Sequence, residues 1–322
     1  MFHKNKLAAA IGILSLSLSY QAAYADATAD CNAGGGVSAT ADTSVALGAA
    51  AQATATDAVA IGDQAAASGV NSSAVGGESV ASGLAAQAFG WRANATGERS
   101  SALGHLANAA GLRATAVGEA ANASAETSIA IGNTSAASAI DAVAIGDQAA
   151  ASGINSSAVG SESVASGLAA QAFGWRANAT GERSSALGHL ANAAGLRATA
   201  VGEAANAAAE TSIAMGNGAA ASAIDAVAIG DIAIASGVNS SAVGSESVAS
   251  GLAAQAFGWR ANATGERSAA LGHLANASGL RSTAVGEAAA ASGETSIAIG
   301  NTSVASAIDA VAIGDQAAAS GI

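Results

Sequence analysis

The side chains able to do chemistry are few and regularly placed. Trp91, Arg92 and His105 return as Trp175, Arg176 and His189, and again as Trp259, Arg260 and His273, at a step of 84 residues. The chemistry this set supports is recognition, because Trp and Arg concentrate binding energy at contact surfaces. Hydrolysis or metal binding asks for more: a base within reach of a reacting group, or several ligands at fixed spacing. The repeats supply one histidine each, with no HxxxH spacing and no carboxylate cluster beside it. Serines abound, but none sits in a G-x-S-x-G elbow with a plausible base. Gly34-Gly35-Gly36 lacks the strand and helix of a phosphate loop and reads as a linker, and Asn94-Ala95-Thr96 is a formal sequon of small weight. The expectation is no enzyme, no metal and no cofactor.

Composition narrows the classes further. The chain has 322 residues, is 51% hydrophobic but only 3% aromatic, and contains 40 Gly and no Pro. Such a chain cannot fill the thick core of a large globule, which needs Leu, Ile, Val and Phe. It has no Gly-X-Y period, and it is too apolar for ordinary disorder. Its formal charge of −12 argues against nucleic acid, which requires a clustered basic face. A single cysteine, Cys31, permits no intrachain disulfide and no cysteine-based zinc site.

Residues 1–25 read as a secretory signal: a basic start (His3, Lys4, Lys6), an apolar run from Leu7 to about Leu18, then Ala23-Tyr24-Ala25 before Asp26. Cleavage is expected after Ala25. Residues 26–41 read as an N-terminal linker. Beyond residue 25 no stretch is bulky and apolar enough to span a bilayer as a helix.

The elements that position the candidate residues follow from two nested periods. Asp57-Ala58-Val59-Ala60-Ile61-Gly62-Asp63 returns at Asp141, Asp225 and Asp309, which fixes the 84-residue unit. Inside it, Gly48, Gly62, Gly76, Gly90 and so on to Gly314 stand every fourteenth residue. A large apolar residue precedes each glycine (Leu47, Ile61, Val75, Phe89, Leu103) and an alanine precedes that (Ala46, Ala60, Ala74, Ala88, Ala102). This alternation predicts a short strand with one bulky and one small face. A second strand, with Ala67, Ala81 and Ala95 on one face and Ser68, Ser82, Thr96 and Asn94 on the other, solvent-suited one, ends at a second small residue such as Gly69 or Gly83. A helix would carry glycine in every second turn at roughly 1 kcal/mol each, so strands are preferred.

One fourteen-residue coil cannot bury its own face, so stacking is required. Stacked coils place Trp91 beside His105 and Glu78 beside Arg92, with Arg99 next to Arg113. The same residues admit a purely structural reading, with Trp91 plugging a groove between chains and Glu78–Arg92 an ordinary surface pair. The bulky residues are expected to fill the slot between the two strands. That leaves the alanine face of the first strand, Ala60, Ala74, Ala144, Ala158 and Ala228, flat and exposed, to be covered by self-association.

The pattern Asp/Thr-x-Val/Ile-Ala-apolar-Gly at Thr43–Gly48, Asp57–Gly62, Asp141–Gly146 and Thr211–Gly216 is often followed by Ala-x-Ala-x-Gly, as at Ala65–Gly69 and Ala149–Gly153. Together these resemble the head repeats of trimeric autotransporter adhesins of the YadA type, over roughly residues 42–322. The resemblance implies an all-β, left-handed parallel β-roll in a homotrimer. It implies a bacterial surface adhesin head that binds host extracellular matrix, a cell-surface ligand or an abiotic surface. Export through the inner membrane is expected, with outer-membrane display where the chain is part of a longer anchored protein. The alternatives are an ice-binding or purely structural secreted β-solenoid. Ice binding calls for a flat column of identical threonines, whereas these columns vary through Asp, Trp, His and Glu. An acyltransferase-type β-helix would instead show hexapeptide repeats and a catalytic histidine in a cleft.

Overall fold

The computed structural model describes residues 36–321. The expected signal peptide, most of the expected linker and Cys31 lie outside the described residues. Among the described residues every regular element is a strand, and no helix is long and apolar enough to cross a membrane. The chain divides into two compact units, one ending at Thr127 and one beginning at Ser128.

Both units are parallel β-solenoids built from the same fourteen-residue coil. In the first, a three-residue strand such as Val59–Ile61 alternates with a two-residue strand such as Ala66–Ala67. Each pairs in parallel with its counterpart fourteen residues on, Ala60 with Ala74 and Ala67 with Ala81. The second unit repeats this from Ile129–Ile131 to Ala318–Ala319, with pairs such as Ala144 with Ala158. The stack reaches ahead of residue 42, since Ser38–Ala39 already pairs with Gln52–Ala53.

The inside of the coil is the reverse of the expected one. Ala60, Ala74, Ala144, Ala158 and Ala228 are 0% exposed within a single chain, whereas Ile61, Phe89 and Leu103 stand outside at 36%, 38% and 41%. Alanines proposed to meet a neighbouring chain are therefore spent on the coil's own core. Opposite them lie Ala67, Ala151 and Ala235, also fully buried, and the largest fully buried side chains of all are serines. The physical reason is that both walls of the slot are small. Small against small lets the two sheets approach until no bulky side chain fits, so the apolar residue beside each alanine is turned outward.

Two tight turns close each coil. Ala65 N–H donates to Gly62 C=O across one and Ser72 N–H to Gly69 C=O across the other, at 3.3 and 3.1 Å. The third residue of each turn is left-handed, as at Gln64 (φ 56°) and Asn71 (φ 58°), and the position is seldom glycine. That conformation costs roughly 1–2 kcal/mol for an L-residue. What offsets it is direction: Gln64 N–H donates to Ala49 C=O at 2.7 Å and Asn71 N–H to Thr56 C=O at 3.0 Å, each one coil back. The turns are thus hydrogen-bonded along the stack just as the strands are. At Gly90, with φ +132°, a Cβ would lie 2.5 Å from the Gly104 carbonyl oxygen, so the coil above dictates glycine.

The serines that replace alanine inside the coil fall into two kinds. Ser79 Oγ donates to Gly76 C=O at 2.8 Å, while Ser100, Ser184 and Ser268 are buried with no hydrogen-bond partner at Oγ. An unpaired buried hydroxyl costs about 1–3 kcal/mol. Replacing Ser100, Ser184 and Ser268 together by alanine is therefore expected to leave the melting temperature unchanged or raise it. A clear drop in thermal unfolding monitored by circular dichroism would show that these hydroxyls are satisfied in solution.

Candidate binding surface

The first turn of three successive coils carries Trp91, His105 and Glu119 in one column, with Glu78 and Arg92 in the column beside it. Parallel stacking at an offset of fourteen is what brings them together. The Trp91 and His105 rings stack at 4.8 Å between centroids with an interplanar angle of 18°. Arg92 Cζ lies 4.3 Å from the Trp91 ring centroid, and its Nε donates to Glu78 Oε2 at 2.7 Å. His105 Nδ1 is 3.3 Å from Glu119 Oε1.

The second unit holds two further copies. Trp175 stacks on His189 at 4.7 Å and Trp259 on His273 at 4.6 Å. Arg176 and Arg260 cover the indoles at 4.6 and 4.5 Å and donate to Glu162 and Glu246 at 2.6 and 2.7 Å. Glu203 and Glu287 accept the place of Glu119, each 3.3 Å from its histidine.

His105 sits one coil on from Trp91, and Arg92 leans one coil back toward Glu78. The indole is therefore held between a ring and a guanidinium. Trp91, Trp175 and Trp259 are 43%, 42% and 41% exposed. Among the described residues the indole N–H has no hydrogen-bond partner. The ion pairs are roughly half exposed, which limits each to about 0–1 kcal/mol. The aromatic stack and the cation–π contact contribute on the order of 1 kcal/mol apiece.

This arrangement presents groups that can grip a ligand. The His105 ring stacks on Trp91 and its Nδ1 faces the Glu119 carboxylate. No group of three or more metal-ligating side chains occurs among the described residues.

The opposite edge of the coil carries Arg99 and Arg113 on successive second turns, as the spacing predicts. Arg99 Nη1 lies 3.6 Å from Glu98 Oε1. Between the two edges runs a feature the sequence did not announce. On the outer face of the two-residue strands, Asn94 Nδ2 donates to Asn108 Oδ1 at 2.9 Å and Asn108 Nδ2 to Asn122 Oδ1 at 2.8 Å. The Asn94 amide, expected from sequence on the solvent face of the second strand, belongs to this ladder. The signal was present in the fourteen-residue recurrence of asparagine. Elsewhere on the second turn Thr43 donates to the Asp57 carboxylate, as do Thr211 to Asp225 and Thr295 to Asp309.

Compared with known families, the sequence matches the YadA head domain repeat in thirteen segments, from 39–65 and 67–93 through 291–317 and 305–322. No curated protein matches the chain.

Proposed function

The chain belongs to the YadA head family, the head repeats of trimeric autotransporter adhesins, and from that premise we propose that it is a non-enzymatic homotrimeric adhesin head. In this reading it is exported, displayed at a bacterial outer membrane, and attaches the cell to host extracellular matrix, to a cell-surface ligand or to an abiotic surface. The observation that carries it is the outward column Ile145, Phe173, Leu187, Met215, Ile229 and Phe257, all 36–40% exposed along one face of the second unit. A continuous apolar face of this kind belongs at an interface. Closed symmetric association of identical chains covers it.

The Trp91, Arg92 and His105 patch and its two copies are the proposed ligand contacts, working by indole, guanidinium and imidazole. Three patches in each of three chains act together, and linked weak sites gain on the order of 10² to 10⁴ in apparent affinity. Sedimentation of the purified chain should give a trimer. Cells displaying it should attach to coated surfaces, with little change when Trp91 alone becomes alanine and a steep loss when Trp91, Trp175 and Trp259 do so together. A stable monomer overturns the assembly. Normal attachment by the folded triple variant overturns the patch, and its unfolding makes the tryptophans structural.

A further inference from the structure

We infer that the outer face of the two-residue strands, from the asparagine ladder to the twin arginines, binds an acidic linear polysaccharide. This rests on the adhesin reading and names a ligand class for it. The face lies away from the apolar column, because the two sheets sit back to back across the alanine core, so self-association leaves it open.

The charge distribution is the first argument. Setting aside Lys4 and Lys6, the 11 basic residues of the chain reduce to nine arginines (11 − 2), against 23 acidic residues. Six of the nine lie within 4.0 Å of a glutamate: Arg92, Arg176 and Arg260 on the first turn, and Arg99, Arg183 and Arg267 on the second. The other three, Arg113, Arg197 and Arg281, have no ion pair among the described residues, despite the excess of carboxylates. Each stands one coil on from Arg99, Arg183 or Arg267, at about the 4.8 Å spacing of paired strands. On these neighbouring turns one guanidinium is shared with a glutamate and the next has no carboxylate partner, so an anion lying along them gains charge-assisted hydrogen bonds.

The ladder supplies the second argument. Within the ladder Asn94 donates, Asn122 accepts and Asn108 does both, which leaves hydrogen-bonding capacity on each carboxamide for sugar hydroxyls. Thr96, Ala110 and Ser124 lie between ladder and arginines and keep the strip shallow. In the second unit Asn178, Asn192 and Asn206 repeat it beside Arg183 and Arg197. Asn262 and Asn276 do so beside Arg267 and Arg281, six coils or about 29 Å further along. A polymer with repeating hydroxyls and carboxylates or sulfates fits such a periodic strip. An acidic peptide fits it less well, since peptides dock by adding a strand to a free edge or by filling side-chain pockets, and this face offers neither.

The test uses the purified chain with immobilised heparin, alginate, neutral dextran and polyglutamate. The wild type should bind heparin and alginate but not dextran, and added salt should weaken binding because the arginines are exposed to screening. Replacing Arg113, Arg197 and Arg281 by Gln should lower the affinity at least tenfold, with the β-rich circular dichroism retained. Replacing Arg99, Arg183 and Arg267 as well should abolish binding. Gln already occupies left-handed turn positions at Gln64 and Gln148, so these variants should fold. Unchanged heparin binding by the six-fold variant, equal binding of dextran, or tighter binding of polyglutamate than of either polysaccharide overturns the proposal. If displaying cells attach normally while the purified chain ignores both acidic polymers, this inference fails and the adhesin reading stands. If the polymers bind through the arginines but displaying cells attach to no surface, the site stands and the adhesin reading fails.

Discussion

Replacing Ala144 and Ala228 together by leucine is expected to collapse the second unit. Both are fully buried in the slot between the sheets, where nothing larger than serine is wholly enclosed. Overpacking a well-filled core costs typically 1–3 kcal/mol per site, and here the wall opposite is backbone and alanine methyls with no rotamer to yield. Separating the sheets also strains the turn hydrogen bonds of the coils on either side, such as Gln148 N–H to Asn133 C=O at 2.8 Å. The expected result is loss of the β-rich circular dichroism signal or a fall in the unfolding midpoint equivalent to several kcal/mol. A doubly substituted chain that melts like the wild type would place these alanines at a surface after all.

Charge on the outward column should leave the coil intact and break the assembly. Ile61, Ile145 and Ile229 occupy equivalent positions and are 36%, 36% and 37% exposed in the single chain. Changing all three to aspartate removes no core packing, since the side chains already point away from the alanines. In a closed trimer, however, it buries carboxylates with no partner, which is strongly unfavourable. Sedimentation should move from trimer to monomer mass while the circular dichroism spectrum stays β-rich. A variant that remains trimeric would show that another face holds the chains together. The pair of experiments separates inside from outside: alanine to leucine destroys the fold, and isoleucine to aspartate destroys only the association.

Periodicity made most of the architecture legible. The fourteen-residue return of Ala-apolar-Gly gave strand parity, parallel pairing and register, and with them the stacking of Trp91 on His105 and of Glu78 on Arg92. Which parity faces inward is not legible in the alternation, and the expected one is reversed: Ala60 is buried and Ile61 stands outside. Alternation establishes that Ala60 and Ile61 point opposite ways, but it does not say which way is in. That depends on how closely two walls approach, and the rule that bulk goes inside fails when both walls are alanine. The left-handed residues were also hidden. Gln64, Glu78 and Arg92 are not types that favour positive φ, and they adopt it because a carbonyl one coil back accepts their N–H. The asparagine ladder escaped for a different reason. Alternation puts Asn94 on the solvent face of its strand, but its partner Asn108 lies across the stack, fourteen residues on.

The direction of the hydrogen bonds has a mechanical consequence. In each unit the strand bonds, and the turn bonds from left-handed residues such as Gln64 and Asn71, run from one coil to the next, so a pull along the stack loads them along their own axes. The coil at the pulled end is bonded to a neighbour on one side only, so its set of bonds parts before those of the coils behind it. A freed coil of fourteen residues extends to roughly 46–50 Å, where it had occupied about 4.8 Å of the stack. Under tension such a stack lengthens stepwise and dissipates work at each step, while the coils not yet reached keep their side chains in place.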